Sequence, residues 1–73
     1  MKGRPVKRSL TLQGHRTSVS LEDEFWQAFR DIAREKELPI NVLAAQIDAD
    51  RDPDTGLASA IRVFILDWYR QAE

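Results

Sequence analysis

Polar and apolar positions alternate twice near the start of the chain, and then the period changes. In RSLTLQ, Leu10 and Leu12 share one face and Ser9, Thr11 and Gln13 the other. In HRTSVSL, Thr17, Val19 and Leu21 share a face, with Arg16, Ser18 and Ser20 opposite. A two-residue period in β-branched and small polar residues predicts half-buried strand. The apolar set moves from even to odd positions across Gly14. Either one continuous strand carries a bulge there, or a two-residue turn at Gln13-Gly14 sets Leu10 opposite Thr17 and returns both sets to a common face.

From residue 20 onward the period is helical. Phe25, Phe29, Ile32 and Ala33 fall on one stripe, flanked by Trp26 and Ala28. Ser20 with Asp23 fits a capping box, or Glu22 is the cap of a later start. The acids Glu22, Asp23 and Glu24 suit the positive end of the helix. Pro39 disfavours helical geometry at Leu38, which ends the helix near Glu37. Pro39 also suits the first turn of a second helix over residues 40–50, with Ile40, Val42, Leu43, Ala44 and Ile47 as its apolar face. DADRDPDTG reads as a loop. A third helix runs from about Leu57 to Gln71. Ile61, Phe64, Ile65 and Trp68 form its stripe, and Val63, Leu66 and Tyr69 spread apolar character well beyond one face. A helix apolar over most of its circumference is buried on several sides. In a short chain that points to a second subunit. A lone strand ahead of these helices lacks a backbone partner, and the same strand from a second copy supplies one.

Size and charge sharpen this picture. Seventy-three residues make one small domain with a thin core. With no cysteine, disulfides and thiolate metal sites are excluded, and the single histidine, His15, cannot build a metal centre alone. No apolar run reaches the roughly 20 residues of a membrane span, and no signal-peptide pattern opens the chain, so the expected location is the cytoplasm. The net charge is -1, but residues 1–16 hold Lys2, Arg4, Lys7, Arg8 and Arg16 and no acid, whereas the remainder sums to -6. The chain therefore divides into a basic arm, residues 1–8, and a domain, residues 9–73. A basic arm is a usual footprint of phosphate contact, and its alternative is a solvated tail. By charge and place, Lys2, Arg4, Lys7, Arg8 and His15 are the candidate phosphate contacts.

Other chemistries fit poorly. The alternating aspartates Asp48, Asp50, Asp52 and Asp54 suggest a calcium loop, which requires a glycine at its sixth place and a glutamate at its twelfth. Counted from Asp48 those places hold Pro53 and Ser59, and from Asp50 they hold Thr55 and Ile61. The segment is a solvated connector. There is no cysteine nucleophile, no glycine-rich phosphate loop, and no carboxylate close to His15 in sequence, so the chain is not expected to be an enzyme, to hold a cofactor or to take a small-molecule substrate. Trp26, Trp68 and Tyr69 lie on or beside the helix stripes, which suits core or subunit packing better than base stacking.

The polar face of the second alternating run is different. Arg16, Ser18 and Ser20 are side chains that hydrogen-bond base edges, and two such strands paired antiparallel across a two-fold axis form a ribbon that fits the major groove. Here RTSVSLEDEFWQAFRDIAREKELPINVLAAQI resembles the ribbon-helix-helix DNA-binding proteins, the superfamily of the Arc and methionine repressors. KRSLTLQGHRTSVSLEDEFW together with LASAIRVFILDWYR is similar to a bacterial subgroup of small stand-alone members. The resemblance spans about Lys7 to Arg70. It implies a mostly α fold with a short N-terminal strand: an intertwined homodimer joined by an intersubunit β-ribbon, here with an extra third helix. It further implies that Arg16, Ser18 and Ser20 contact bases of double-stranded DNA while Thr17, Val19 and Leu21 face the core. In the family, amides at the start of the second helix hold a phosphate. That maps to Ile40 and Asn41, or, if LASAIRVFILDWYR is the matching helix, to the region from Leu57 to Ser59. The implied function is a sequence-specific transcriptional regulator of the repressor type. The alternative on the same fold is a dimeric protein-interaction module or antitoxin-type regulator, which the acidic body favours.

Overall fold

The structure, a computed structural model, describes residues 3–71. Strands β1 (Val6–Leu12) and β2 (His15–Leu21) are followed by helices α1 (Asp23–Glu35), α2 (Ile40–Asp50) and α3 (Leu57–Gln71). The parity switch across Gly14 resolves as the turn. Gln13 and Gly14 both take positive φ, 52° and 85°, the conformation of a type I′ hairpin turn, whose twist matches that of the flanking strands. Leu10 accordingly pairs with Thr17, and the ladder runs from Leu12–His15 to Val6–Leu21. β1 thus takes in Val6, Lys7 and Arg8 as well.

The partner of β2 inside the chain is β1. The expectation that a second copy supplies the partner of β2 therefore concerns only the other of its two edges. Two side-chain contacts show which backbone groups face outward. The Thr11 N–H donates to Asn41 Oδ1 at 3.1 Å, and the Ser20 carbonyl accepts from Arg62 at 3.4 Å. Backbone groups in an antiparallel pair alternate between inward and outward. Lys7, Ser9 and Thr11 on β1, and Arg16, Ser18 and Ser20 on β2, therefore direct their N–H and C=O groups away from the hairpin.

Hydrophobic burial follows the alternation. Leu10, Val19 and Leu21 are buried beneath the hairpin, whereas Thr17 lies on the same face but is exposed near the turn. They close over Phe29, Ile32 and Ala33 of α1, Leu43, Ala44 and Ile47 of α2, and Ile61 and Ile65 of α3. α2 packs under β1, while α3 packs under β2 and against α1 and α2.

Of the two N-caps open in the sequence, Ser20 and Glu22, α1 uses Glu22, which makes no side-chain capping bond, because its carboxylate is turned to Arg62. The helix ends at Glu35, within two residues of the expected Glu37. Glu37 takes φ 57°, donating to the Arg34 carbonyl at 3.0 Å, while Leu38 donates to the Ala33 carbonyl at 2.9 Å. That pair of bonds is a Schellman stop, and Pro39 then opens α2. In α3 only Ile61 and Ile65 are buried. Val63, Leu66 and Tyr69 are 56%, 53% and 45% exposed, so the excess apolar surface seen in the sequence remains uncovered within one chain.

Candidate nucleic-acid interface

The register makes one face of the hairpin wholly polar. Lys7 lies across from Ser20, Ser9 from Ser18, and Thr11 from Arg16. All six are exposed, and no acid is among them. The face offers two cations and four hydroxyls, groups that donate to phosphate oxygens and to base edges. The three residues read from sequence as base contacts, Arg16, Ser18 and Ser20, are brought together here along β2.

The candidate phosphate contacts are distributed more widely. Lys7 is on this face. His15 is exposed beside the turn. Arg4 precedes β1 and is exposed, and Lys2 lies outside the described residues. Arg8 is on the opposite face: it pairs with Asp23, and its guanidinium sits 5.3 Å from the centre of the Trp26 ring. Its part is to tie β1 to the start of α1. Ile40 and Asn41 open α2 beside the outer edge of β1, held there by the Thr11–Asn41 bond. In that first turn Val42 and Leu43 donate to the Pro39 carbonyl at 3.0 and 3.1 Å, while no backbone partner accepts from Ile40 or Asn41. Amides of this kind attract anions. At α3, the alternative position, Leu57 is half-buried and Ser59 exposed.

The two acids that directly follow β2 are paired. Glu22 holds Arg62 through Nη2 at 2.7 Å and Nε at 3.1 Å, and Asp23 holds Arg8. No local pattern signals the Arg62–Glu22 contact, because its partners are forty positions apart. Arg62 also covers the Phe25 ring at 5.5 Å and reaches the Ser20 carbonyl, so one side chain joins α3 to the junction of β2 and α1. The hydrogen bond from Arg62 and a local backbone hydrogen bond, with the positive charge of Arg62, hold the Glu22 carboxyl below the usual carboxylate range against the opposing effect of burial. A depressed folded pKa stabilises the fold above the unfolded value, and that contribution disappears as pH falls through the folded one. Glu22→Gln should therefore flatten the acid limb of the melting temperature against pH, while the wild-type chain keeps a steeper fall in the same range.

Elsewhere, a groove of about 490 Å³ runs between α2 and α3, floored by Leu43, Ile47 and Phe64 with Asp50 and Asp67 on its rim. Among the described residues no cluster of potential metal ligands occurs, and no helix is long and apolar enough to cross a membrane.

No curated protein and no solved structure matches the chain significantly. A family model described as a ribbon-helix-helix domain matches residues 5–69, which takes in the hairpin, all of α1 and α2, and nearly all of α3. With that match over most of its length, and with a hairpin leading into packed helices, the chain belongs to the ribbon-helix-helix domain family, in general a family of DNA-binding regulators rather than enzymes.

Proposed function

We propose that this protein is a homodimeric, sequence-specific double-stranded DNA-binding regulator of transcription, in which β2 strands from two copies pair and enter the major groove. The observation that carries this reading is the acid-free outward face of the hairpin, in a chain whose remaining surface is acidic. The open edge of β2 supports the dimer. An unpaired edge invites another strand, and pairing about Ser18 engages all seven residues of β2, with Arg16 opposite Ser20 of the other copy. The exposed side chains of α3, the helix under β2, would gain cover from the same assembly. Pairing of Glu22 with Arg62 and of Asp23 with Arg8 reduces repulsion beside the groove, and salt screens the more distant acids over roughly 8 Å at physiological ionic strength.

Electrophoretic mobility shift of genomic and random duplexes at two salt concentrations tests the proposal. Binding should weaken steeply with salt. Arg16→Ala should lower affinity for preferred sites on the order of tenfold to a hundredfold and flatten the preference, as expected for loss of a bidentate arginine–guanine contact. Lys7→Ala should instead weaken every duplex alike and reduce the salt slope by about one. If no duplex shifts at low salt, the protein-interaction reading, favoured by the -6 charge outside residues 1–16, takes its place.

A further inference from the structure

The sequence places Lys7 and Arg8 of β1 among the candidate phosphate contacts but leaves Ser9 and Thr11 without a place on DNA. The register supplies one. Ser9 and Thr11 lie on the same exposed face as the proposed reading strand, directly across from Ser18 and Arg16. Because β1 covers one edge of β2, pairing two copies through the other edge yields four strands in the order β1, β2, β2, β1. Adjacent strands are about 4.8 Å apart, so the two outer strands are separated by roughly 14 Å. The major groove is about 12 Å wide, and a two-stranded ribbon fits its floor. Four strands do not. The inner β2 pair occupies the groove, and each β1 meets a groove wall, where the phosphates are.

We infer that β1 is a phosphate-contacting rail, with Ser9 and Thr11 donating their hydroxyls, beside the Lys7 ammonium, to backbone oxygens along each wall. The inference rests on the proposed DNA-binding dimer. Two further features of this flank agree with it. Its three outward side chains are a lysine and two hydroxyl residues, all suited to phosphate. The row also continues into the start of α2, since the Thr11 N–H is bound to Asn41 Oδ1 at 3.1 Å, which places the Ile40 and Asn41 amides at the end of the same wall.

The test adds a charge where the rail would touch the backbone. Ser9→Lys and, separately, Thr11→Lys are compared with wild type by titrating a preferred and a scrambled duplex over a range of salt. Both positions are exposed, and circular dichroism confirms that each variant is folded. Each new phosphate contact should steepen the plot of log K against log salt by about 0.9, or roughly 1.8 per dimer. Both duplexes should be bound more tightly by the same factor, on the order of tenfold or more at 0.1 M salt. An unchanged slope in both variants overturns the inference and leaves the DNA-binding dimer standing. A changed base preference without a uniform gain also overturns it, and places β1 on the groove floor. If wild type itself binds neither duplex, the underlying functional reading fails and the rail fails with it.

Discussion

Replacing Phe29 with alanine should lower the melting temperature by roughly 12–40 °C. Phe29 is fully buried, the largest such side chain in the core, with its ring 6.1 Å from that of Trp26. It belongs to a cluster drawn from the hairpin and all three helices, so filling the space requires several elements to move together. Phenylalanine-to-alanine changes in cores cost about 3–5 kcal/mol, and a domain of this size has about 4–11 kcal/mol in all. The substitution removes a large share of that margin. Val42→Ala is the matched control. Its side chain sits on α2 but is 42% exposed, and its effect should stay within about 0.5 kcal/mol. Thermal melts followed by circular dichroism distinguish the two: a Phe29→Ala protein melting close to wild type would show that the core relaxes around the gap.

Phe29 also illustrates what was legible in the sequence. The 3.6-residue stripe of Phe25, Phe29, Ile32 and Ala33 predicts which face of α1 is buried, and the second and third helices appear where Pro39 and the Pro53–Gly56 connector place their starts. Helix periodicity is a local signal, so it survives without tertiary information. The strand region was legible only as two alternatives, because a bulge and a tight turn both repair the same parity switch. Positive φ at Gln13 decides between them, and glutamine gives little warning of it, since asparagine or aspartate is the usual residue before glycine in such turns. The N-cap is likewise one of two alternatives in the sequence, and the structure selects Glu22. Ser20 has the residue type and spacing of a capping box, but it is the penultimate residue of β2, and its carbonyl is engaged by Arg62 from far along the chain.

The candidate site was legible in one dimension and not in two. Alternation placed Arg16, Ser18 and Ser20 on a common face. It could not show that Lys7, Ser9 and Thr11 join them, because that depends on the register between strands. Charge counting likewise treated Arg4, Lys7 and Arg8 as equivalent members of an arm. In the fold Lys7 and Arg8 point to opposite faces of β1, one to solvent and one to Asp23 and Trp26. A one-residue step in a strand is enough to convert a candidate DNA contact into a structural clasp.

Ser18→Pro should separate the dimer from the fold, with DNA binding lost along with it. Ser18 pairs with Ser9 at a position whose backbone groups face away from β1, so the N–H that proline removes takes no part in the hairpin. Proline is tolerated on an edge strand when the missing donor faces outward, and Thr17 before it already has the extended geometry that proline demands. The chain should keep its helical content and melt cooperatively. In the proposed dimer the two-fold axis passes beside Ser18, and the two symmetric N–H groups there bond across it. The substitution removes both and sets two pyrrolidine rings against each other. Analytical ultracentrifugation should find a monomer at concentrations where wild type is a dimer, and affinity for duplex DNA should drop by a factor on the order of 100 or more, since each half then binds alone. Ser18→Ala separates this effect from the loss of a hydroxyl, because it should preserve the dimer and alter only the preference among sites. A Ser18→Pro protein that dimerises as wild type does would exclude the β2 edge as the interface. The exposed Val63, Leu66 and Tyr69 of α3 would then be the surface to mutate next.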